Sequence, residues 1–273
     1  MTIKQLTDKV KAVLTCAGIT DASEGEFLVA VALGVKRNAT KLNTPVTDAE
    51  KRKALRWANK RAEGAPLTII SHSANFYGRD YFVNTSVLSP RPETEELVEL
   101  VAKNVNKDAR VLDLCTGSGA IAITLELEFG FKNVVASDIS ARALMVAKKN
   151  SCALGAHVKF VRSDLFENLG GRFDCIVSNP PYIRETEYDL LEGEVKNFEP
   201  KIALVADDDG LAVYKKIASR AGEYLAPNGQ LFLEIGETQA EAITEILRPY
   251  FRDVEVKCDL EGKPRMIKAT KIN

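Results

Sequence analysis

From Pro92 onward the chain alternates short apolar runs with stretches long enough for a helix, a rhythm that few folds accept. The runs lie at 110–114, 133–137, 157–161, 173–178 and 229–235. Their spacing predicts strands joined by helical crossovers, hence an α/β fold with a parallel, doubly wound sheet. Pro92 suits a first helical turn, where Glu93, Glu95 and Glu96 complement the positive end of the helix dipole and Leu97, Val98, Val101 and Val105 turn inward. Residues 252–258 and 264–269, around Gly262-Lys263-Pro264, read as a closing antiparallel pair. In sheets of this kind ligands bind beyond the carboxyl ends of the strands.

The segment before Pro92 has a different pattern. Leu6, Val10, Val13 and Leu14 share one helical face. Asp21 to Glu24 and Thr47 to Glu50 both read as capping boxes, and a further helix carries Leu55, Trp57 and Ala58. Residues 1–73 are therefore expected to form a small helical bundle. In 74–88, Phe76-Tyr77-Gly78 and Tyr81-Phe82-Val83 suggest a β-hairpin around Arg79-Asp80, linking the bundle to a Rossmann-like domain at 89–273.

Chemistry concentrates at predicted strand ends. Arg110 to Leu114 is followed by Cys115-Thr116-Gly117-Ser118-Gly119 and then an apolar helix. Glycines there let backbone approach a ligand, and the helix start offers free N–H groups. Asp138 closes the next strand, where a carboxylate can accept both hydroxyls of a ribose. Asp113, inside the first strand, can order the glycine loop or face a cationic group. Gly117 to Ala122 also fits the dinucleotide pattern G-x-G-x-x-A, so a nicotinamide dehydrogenase competes. That reading gives no task to Asn179-Pro180-Pro181-Tyr182, which terminates the strand 173–178. The Asn179 side-chain oxygen and the Pro180 carbonyl are acceptors that together can hold a planar NH2 group, and Tyr182 can pack over the group that carries it. The structural alternative for this tetrapeptide is a proline-rich turn. The ordered set Asp113, Gly117, Gly119, Asp138 and Asn179 to Tyr182 favours methyl transfer to an amide or exocyclic amine nitrogen.

With these residues the chain resembles the protein-(glutamine-N5) methyltransferases that act on peptide-chain release factors. The resemblance runs through Ser89-Pro90-Arg91-Pro92-Glu93-Thr94-Glu95, the glycine loop, Ser137 to Ser140 with Ala143, Leu144 and Asn150, and Ser163-Asp164. It continues in Asn179 to Tyr182, Glu199-Pro200 with Ala203-Leu204, Leu233 to Gly236 with Gln239, and Gly262 with Arg265. It implies a class I (Rossmann-like) S-adenosylmethionine-dependent methyltransferase sheet and the Gly-Gly-Gln glutamine of a class I release factor as target, with the bundle as docking module. For the cofactor it implies Asp113, Cys115, Thr116, Gly117, Ser118, Gly119, Asp138, Ile139, Asp164, Leu165 and Asn179. For the substrate it implies Asn179, Pro180, Pro181 and Tyr182, with Arg91 and Glu93 assigned there more loosely. Asn179, Pro180 and Tyr182 would carry the catalysis. Arg91 and Glu93 could equally form an ion pair at the helix start, or reach over the cofactor and clamp the loop.

Three positions depart from the family pattern. Cys115 stands where glycine is usual, Leu165 where some members carry an aromatic, and Pro66 to His72 lacks the glycine that usually follows Pro-Leu.

With 273 residues and a net charge of −1, the chain can bury a sizeable core and has no global pull toward nucleic acid or membrane. Five scattered cysteines, none spaced C-x-x-C, argue for reduced thiols in a cytoplasmic protein without a metal site. No secretory or spanning segment is expected, and a monomer without direct nucleic-acid contact is expected. His72 and His157 read as ordinary histidines, and Asp207-Asp208-Asp209 as a helix cap. Glu234 sits in an apolar strand, where an acid is costly without a partner. An adenine-N6 or other exocyclic-amine methyltransferase of RNA or DNA is the alternative enzyme, and a cofactor-binding regulatory module the non-enzymatic one.

Overall fold

A computed structural model describes residues 1–35 and 42–272. The chain divides into two compact units, Met1–Ser73 with Glu192–Phe198, and Ala74–Leu191 with Glu199–Asn273.

The first unit contains α1 (Ile3–Cys16), α2 (Ala22–Leu33), α3 (Asp48–Ala62) and the short α4 (Leu67–Ser71). Thr47 and Glu50 form the expected reciprocal box, and Thr2 with Gln5 forms a second one at the start of α1. The box expected at Asp21 is only half made. Asp21 accepts from Ser23 N at 2.7 Å, but Glu24 is drawn away by the Arg61 guanidinium, whose Nε lies 2.6 Å from its Oε2. Arg61 also donates to Glu194 at 2.6 Å. Leu6, Val10, Leu14, Leu28, Ala54 and Ala58 are buried together, with Trp57 and Phe198 packed against them.

The second unit opens with a two-stranded hairpin, β1 (Ser73–Phe76) and β2 (Arg79–Phe82). Its turn falls at Tyr77-Gly78 rather than at Arg79-Asp80. Both turn residues have positive φ, 52° and 72°, the geometry that matches strand twist in a two-residue hairpin. Then follow α5 (Pro92–Asn104), β3 (Arg110–Leu114), α6 (Ala120–Leu127), β4 (Asn133–Asp138), α7 (Ala141–Leu154), β5 (Lys159–Arg162) and β6 (Phe173–Ser178). Three short helices come next, α8 (Glu185–Tyr188), α9 (Gly193–Phe198, which belongs to the first unit) and α10 (Asp207–Gly210). The chain continues through α11 (Ala212–Tyr224), β7 (Leu225–Glu234), α12 (Ala240–Leu247), β8 (Phe251–Cys258) and β9 (Pro264–Lys271).

Seven strands form one sheet in the order β5-β4-β3-β6-β7-β9-β8. The first five are parallel, and β9 runs antiparallel to both β7 and β8. Alternate strand residues serve opposite layers. Val111, Ala136, Cys175, Val177 and Phe232 pack with Leu97, Val98 and Ile123 of α5 and α6. Leu112, Leu114, Ile176, Leu231 and Leu233 pack with Tyr214, Ile217 and Ile243 of α11 and α12. Burial on both faces explains why these strands read as unbroken apolar runs. Two boundaries differ from expectation. β5 starts two residues later, at Lys159, and β7 starts four residues earlier, at Leu225, where its pairing with β6 carries a register shift near Phe173.

Candidate active site

The strand order reverses between β3 and β6, on either side of the first strand laid down, and a crevice forms there at the carboxyl ends. A cavity of about 330 Å³ occupies this position.

Its floor is the loop after β3. Asp113 stands behind that loop rather than on the cavity wall. Its Oδ2 accepts from Thr116 Oγ1 at 2.6 Å and from Ala122 N at 3.3 Å, tying the loop to the first turn of α6. Oδ1 is buried without a protein partner, and burial pushes the carboxyl up to about 7 against the two bonds that lower it. These bonds are the ones that ordering of the loop requires. Gly119 holds φ at 84°, and a Cβ there would sit 3.0 Å from Ile123 Cδ1 and 3.1 Å from Ala147 Cβ. The residue thus serves helix packing and does not line the cavity. Cys115 does line it, with φ at 59° and a thiol that burial, followed by the Asp138 charge, pushes up to about 12. The thiol therefore stays protonated, and the extra side chain is carried as a neutral, small group.

Asp138 ends β4 on the cavity wall. Its two oxygens accept from Gly117 N at 2.9 Å and Ser140 N at 2.8 Å, which orients the carboxylate and joins two strand-end loops. Burial raises its pKa, opposed by those two bonds. Ser137, also on the wall, has a buried hydroxyl without a hydrogen-bond partner. Thr116, Gly117, Ser118, Ile139, Asp164, Leu165, Asn179 and Pro181 complete the expected residues found there.

Asn179, directly beyond β6, is held by a residue that sequence reasoning passed over. Its Nδ2 donates to Thr94 Oγ1 at 3.3 Å, and Thr94 donates in turn to Glu234 Oε2 at 2.7 Å. This leaves Oδ1 as the acceptor end of the Asn179 amide. Thr94 and Glu234 are both buried, and burial pushes the Glu234 carboxyl up to about 7. Pro180 is buried behind the wall. Tyr182 packs into the core, its N donating to Leu204 O at 3.2 Å and its O accepting from Gln239 Nε2 at 3.0 Å. Gly210 approaches from below so closely that a Cβ there would lie 2.2 Å from Tyr182 O. The backbone after Asn179 is thus hydrogen-bonded on both sides and closely packed. Tyr182 is not on the cavity wall, and burial pushes its phenol to about 12.

Arg91 reaches the cavity, but its partner is Glu199, not Glu93. Glu93 is exposed and off the wall, and of the two options for this pair the ion pair at the start of α5 does not form, Arg91 being turned to Glu199. The acidic run also departs from expectation. Asp208 and Asp209 adopt positive φ and no side chain caps α11; Asp208 pairs with Lys215 instead. Among the described residues no group of three or more His, Cys, Asp or Glu is arranged to hold a metal. No described helix is long and apolar enough to cross a membrane.

Residues 92–195 match the Methyltransferase small domain family. Among solved structures, a methyltransferase from Pyrococcus furiosus superposes with a TM-score of 0.57 at 19% identity, covering 78% of this chain and 98% of that one. The fold is therefore that of a class I methyltransferase. Sequence likeness is much closer elsewhere. The release factor glutamine methyltransferase of Bacillus cereus is 38% identical over 259 residues, spanning 90% of this chain and 92% of its own. That of Neisseria gonorrhoeae is 43% identical over 223 residues, 80% of this chain and 81% of its own. Likeness of that degree over most of both chains makes this chain a member of the release factor glutamine methyltransferase family.

Proposed function

We propose that this protein transfers a methyl group from S-adenosylmethionine to the side-chain amide nitrogen of the glutamine in the Gly-Gly-Gln loop of a class I peptide-chain release factor. The observation that carries this reading is the Asn179 amide, tethered through Nδ2 so that its oxygen is the acceptor, at the edge of a cavity that Asp138 lines.

The residues present fit the cofactor. The cavity lies within the usual range for small-molecule sites, about 300–1,000 Å³. Asp138 suits ribose hydroxyls, the unpaired Ser137 hydroxyl offers a further polar contact, and Leu165 and Ile139 supply apolar surface. S-adenosylmethionine supplies an electrophilic methyl group on a cationic sulfur.

The chain's own residues address a weak nucleophile. The lone pair of an amide nitrogen is delocalised into its carbonyl. Acceptors on both NH2 hydrogens, Asn179 Oδ1 and the Pro180 carbonyl, would fix the nitrogen and favour a localised lone pair facing the cofactor. Positioning of this kind supplies roughly 7–11 kcal/mol when geometry is right. The close packing and hydrogen bonds at the Tyr182 backbone would keep that pair of acceptors in register. No side chain in the set is needed as a general base, because the methylated nitrogen is acidic enough to lose its proton to water.

The helical bundle at 1–73 is assigned to docking of the protein substrate, 74–88 to the linker and 89–273 to transfer. The net charge of −1 supports a protein substrate over nucleic acid, a cytoplasmic location and a monomer complete the reading. Incubation with labelled S-adenosylmethionine and either release factor or RNA and DNA tests it. Label is expected on one glutamine of the release factor; label on nucleic acid alone would replace this reading with the exocyclic-amine alternative. A chain beginning at residue 74, shown to be folded despite the loss of the apolar neighbours of Phe198, should bind the cofactor but methylate intact release factor poorly.

A further inference from the structure

Glu234 ends β7 with 2% of its surface exposed and does not line the cavity. A carboxylate in such a place is costly, and its removal from solvent calls for a reason. Two of the three groups in its chain are ambivalent. An asparagine amide presents a donor at one end and an acceptor at the other, in nearly the same shape. A threonine hydroxyl can donate or accept. An ionised carboxylate can only accept. The direction of the whole chain is therefore set at its buried end. Glu234 takes the hydroxyl hydrogen of Thr94 at 2.7 Å, Thr94 Oγ1 is left to accept from Asn179 Nδ2 at 3.3 Å, the Asn179 amide also bonds the Glu234 carboxyl directly, and the Asn179 oxygen is left as the free acceptor.

We propose that Glu234 is a positioning residue for the methyl transfer, acting directly and through Thr94 to fix which end of the Asn179 amide meets the substrate. This rests on the reading that Asn179 Oδ1 accepts from the target NH2. Replacing the carboxylate by a group that can also donate lets Thr94 reverse its hydroxyl, and the Asn179 amide can then turn its NH2 toward an NH2, where no hydrogen bond forms.

The surroundings of Glu234 leave its carboxyl balanced between its two protonation states near neutral pH. Arg265 on β9 acts on it favourably, while Glu93 on α5 acts against it. The Tyr182 and Tyr214 phenols face it from the β6 end and from α11, and Tyr214 donates to the Glu234 backbone carbonyl at 2.8 Å. With burial outweighing Arg265, the carboxyl titrates at about 7. The ionised form, present above that pH, is the one that can only accept, so the maximal rate should rise through neutrality.

The test compares the parent protein with Glu234→Gln, Thr94→Val, Thr94→Ser and the Thr94→Val/Glu234→Gln double variant, all checked for folding by thermal melting. Rates of glutamine methylation on intact release factor are measured from about pH 6 to about pH 9, with cofactor affinity by calorimetry at each pH, since Asp113 can disturb cofactor binding over the same range. Glu234→Gln and Thr94→Val should each lower kcat about tenfold with both KM values within about twofold, and the double variant should fall well short of the product of the two losses. Thr94→Ser keeps the hydroxyl and should stay near the parent. The rise in kcat near pH 7 should vanish in Glu234→Gln. A Glu234→Gln protein with parental kcat and an unchanged rise, or losses that multiply in the double variant, would overturn the proposal. A parent protein that leaves glutamine unmethylated would instead overturn the reading beneath it.

Discussion

Arg91 Nη2 donates to both oxygens of Glu199, each at 2.9 Å, joining two chain segments 108 residues apart in sequence. The Glu199 side chain is 4% exposed and that of Arg91 42%, so the acid is the buried partner. Burial raises the Glu199 pKa more than Arg91 lowers it, and Ser89 N adds a third bond at 3.4 Å.

Arg91→Ala should strand that buried carboxylate. The expected loss is about 1–3 kcal/mol, between an exposed and a fully buried pair. Urea unfolding measures it, and Arg91→Lys should recover only part, because one ammonium cannot match a carboxylate as a guanidinium does.

Asp138→Ala removes a charged acceptor from the cavity wall and frees Gly117 N and Ser140 N. S-adenosylmethionine affinity by calorimetry should fall by about 1.5–3 kcal/mol. Binding of NAD by the parent protein, expected to be absent, would point back to a dehydrogenase.

Asn179→Ala should abolish turnover while cofactor affinity falls far less. The interaction is strongest as the amide lone pair is freed, so the loss belongs to the chemical step. A single-turnover assay at saturating cofactor separates the two; near-parental turnover would remove Asn179 from the mechanism.

Stability of the ligand-free protein should decline as pH rises from about 4 to about 7. Asp113 and Glu234 each titrate at about 7 in the folded chain, against 3.8 and 4.5 ordinarily. Between those values the folded state holds protons that the unfolded state has released, so rising pH favours unfolding, by on the order of a few kcal/mol in all. Asp108 and Glu99, whose pKa values are lowered, act in the opposite sense but below that window. Thermal midpoints from pH 5 to 8 should show the decline, and Glu234→Gln should flatten it.

What the sequence disclosed depended on how local the cause is. The five parallel strands, the loop after β3 and the placement of Asp138 and Asn179 follow from apolar runs and glycines read within a few residues. Partners far along the chain were not legible. Glu199 replaces Glu93 as the companion of Arg91, and Arg61 takes Glu24 from its capping box. Thr94 lay inside the run at 89–95 that carried the family resemblance, but its task requires Glu234, 140 residues away. The one available signal was Glu234 itself, an acid in an apolar strand that had to have a partner. The shifted starts of β5 and β7 show that pairing, not residue preference, decides where a strand begins.

The antiparallel β9 lies between β7 and β8, although both precede it in the chain. During synthesis, β7 therefore emerges with the backbone groups of one edge unpaired, and β8 has no neighbour, until residues 264–271 leave the ribosome. Open edges on apolar strands are templates for misassociation. The nascent chain should engage chaperones through β7, and any truncation short of residue 264 should yield insoluble protein rather than a shorter enzyme.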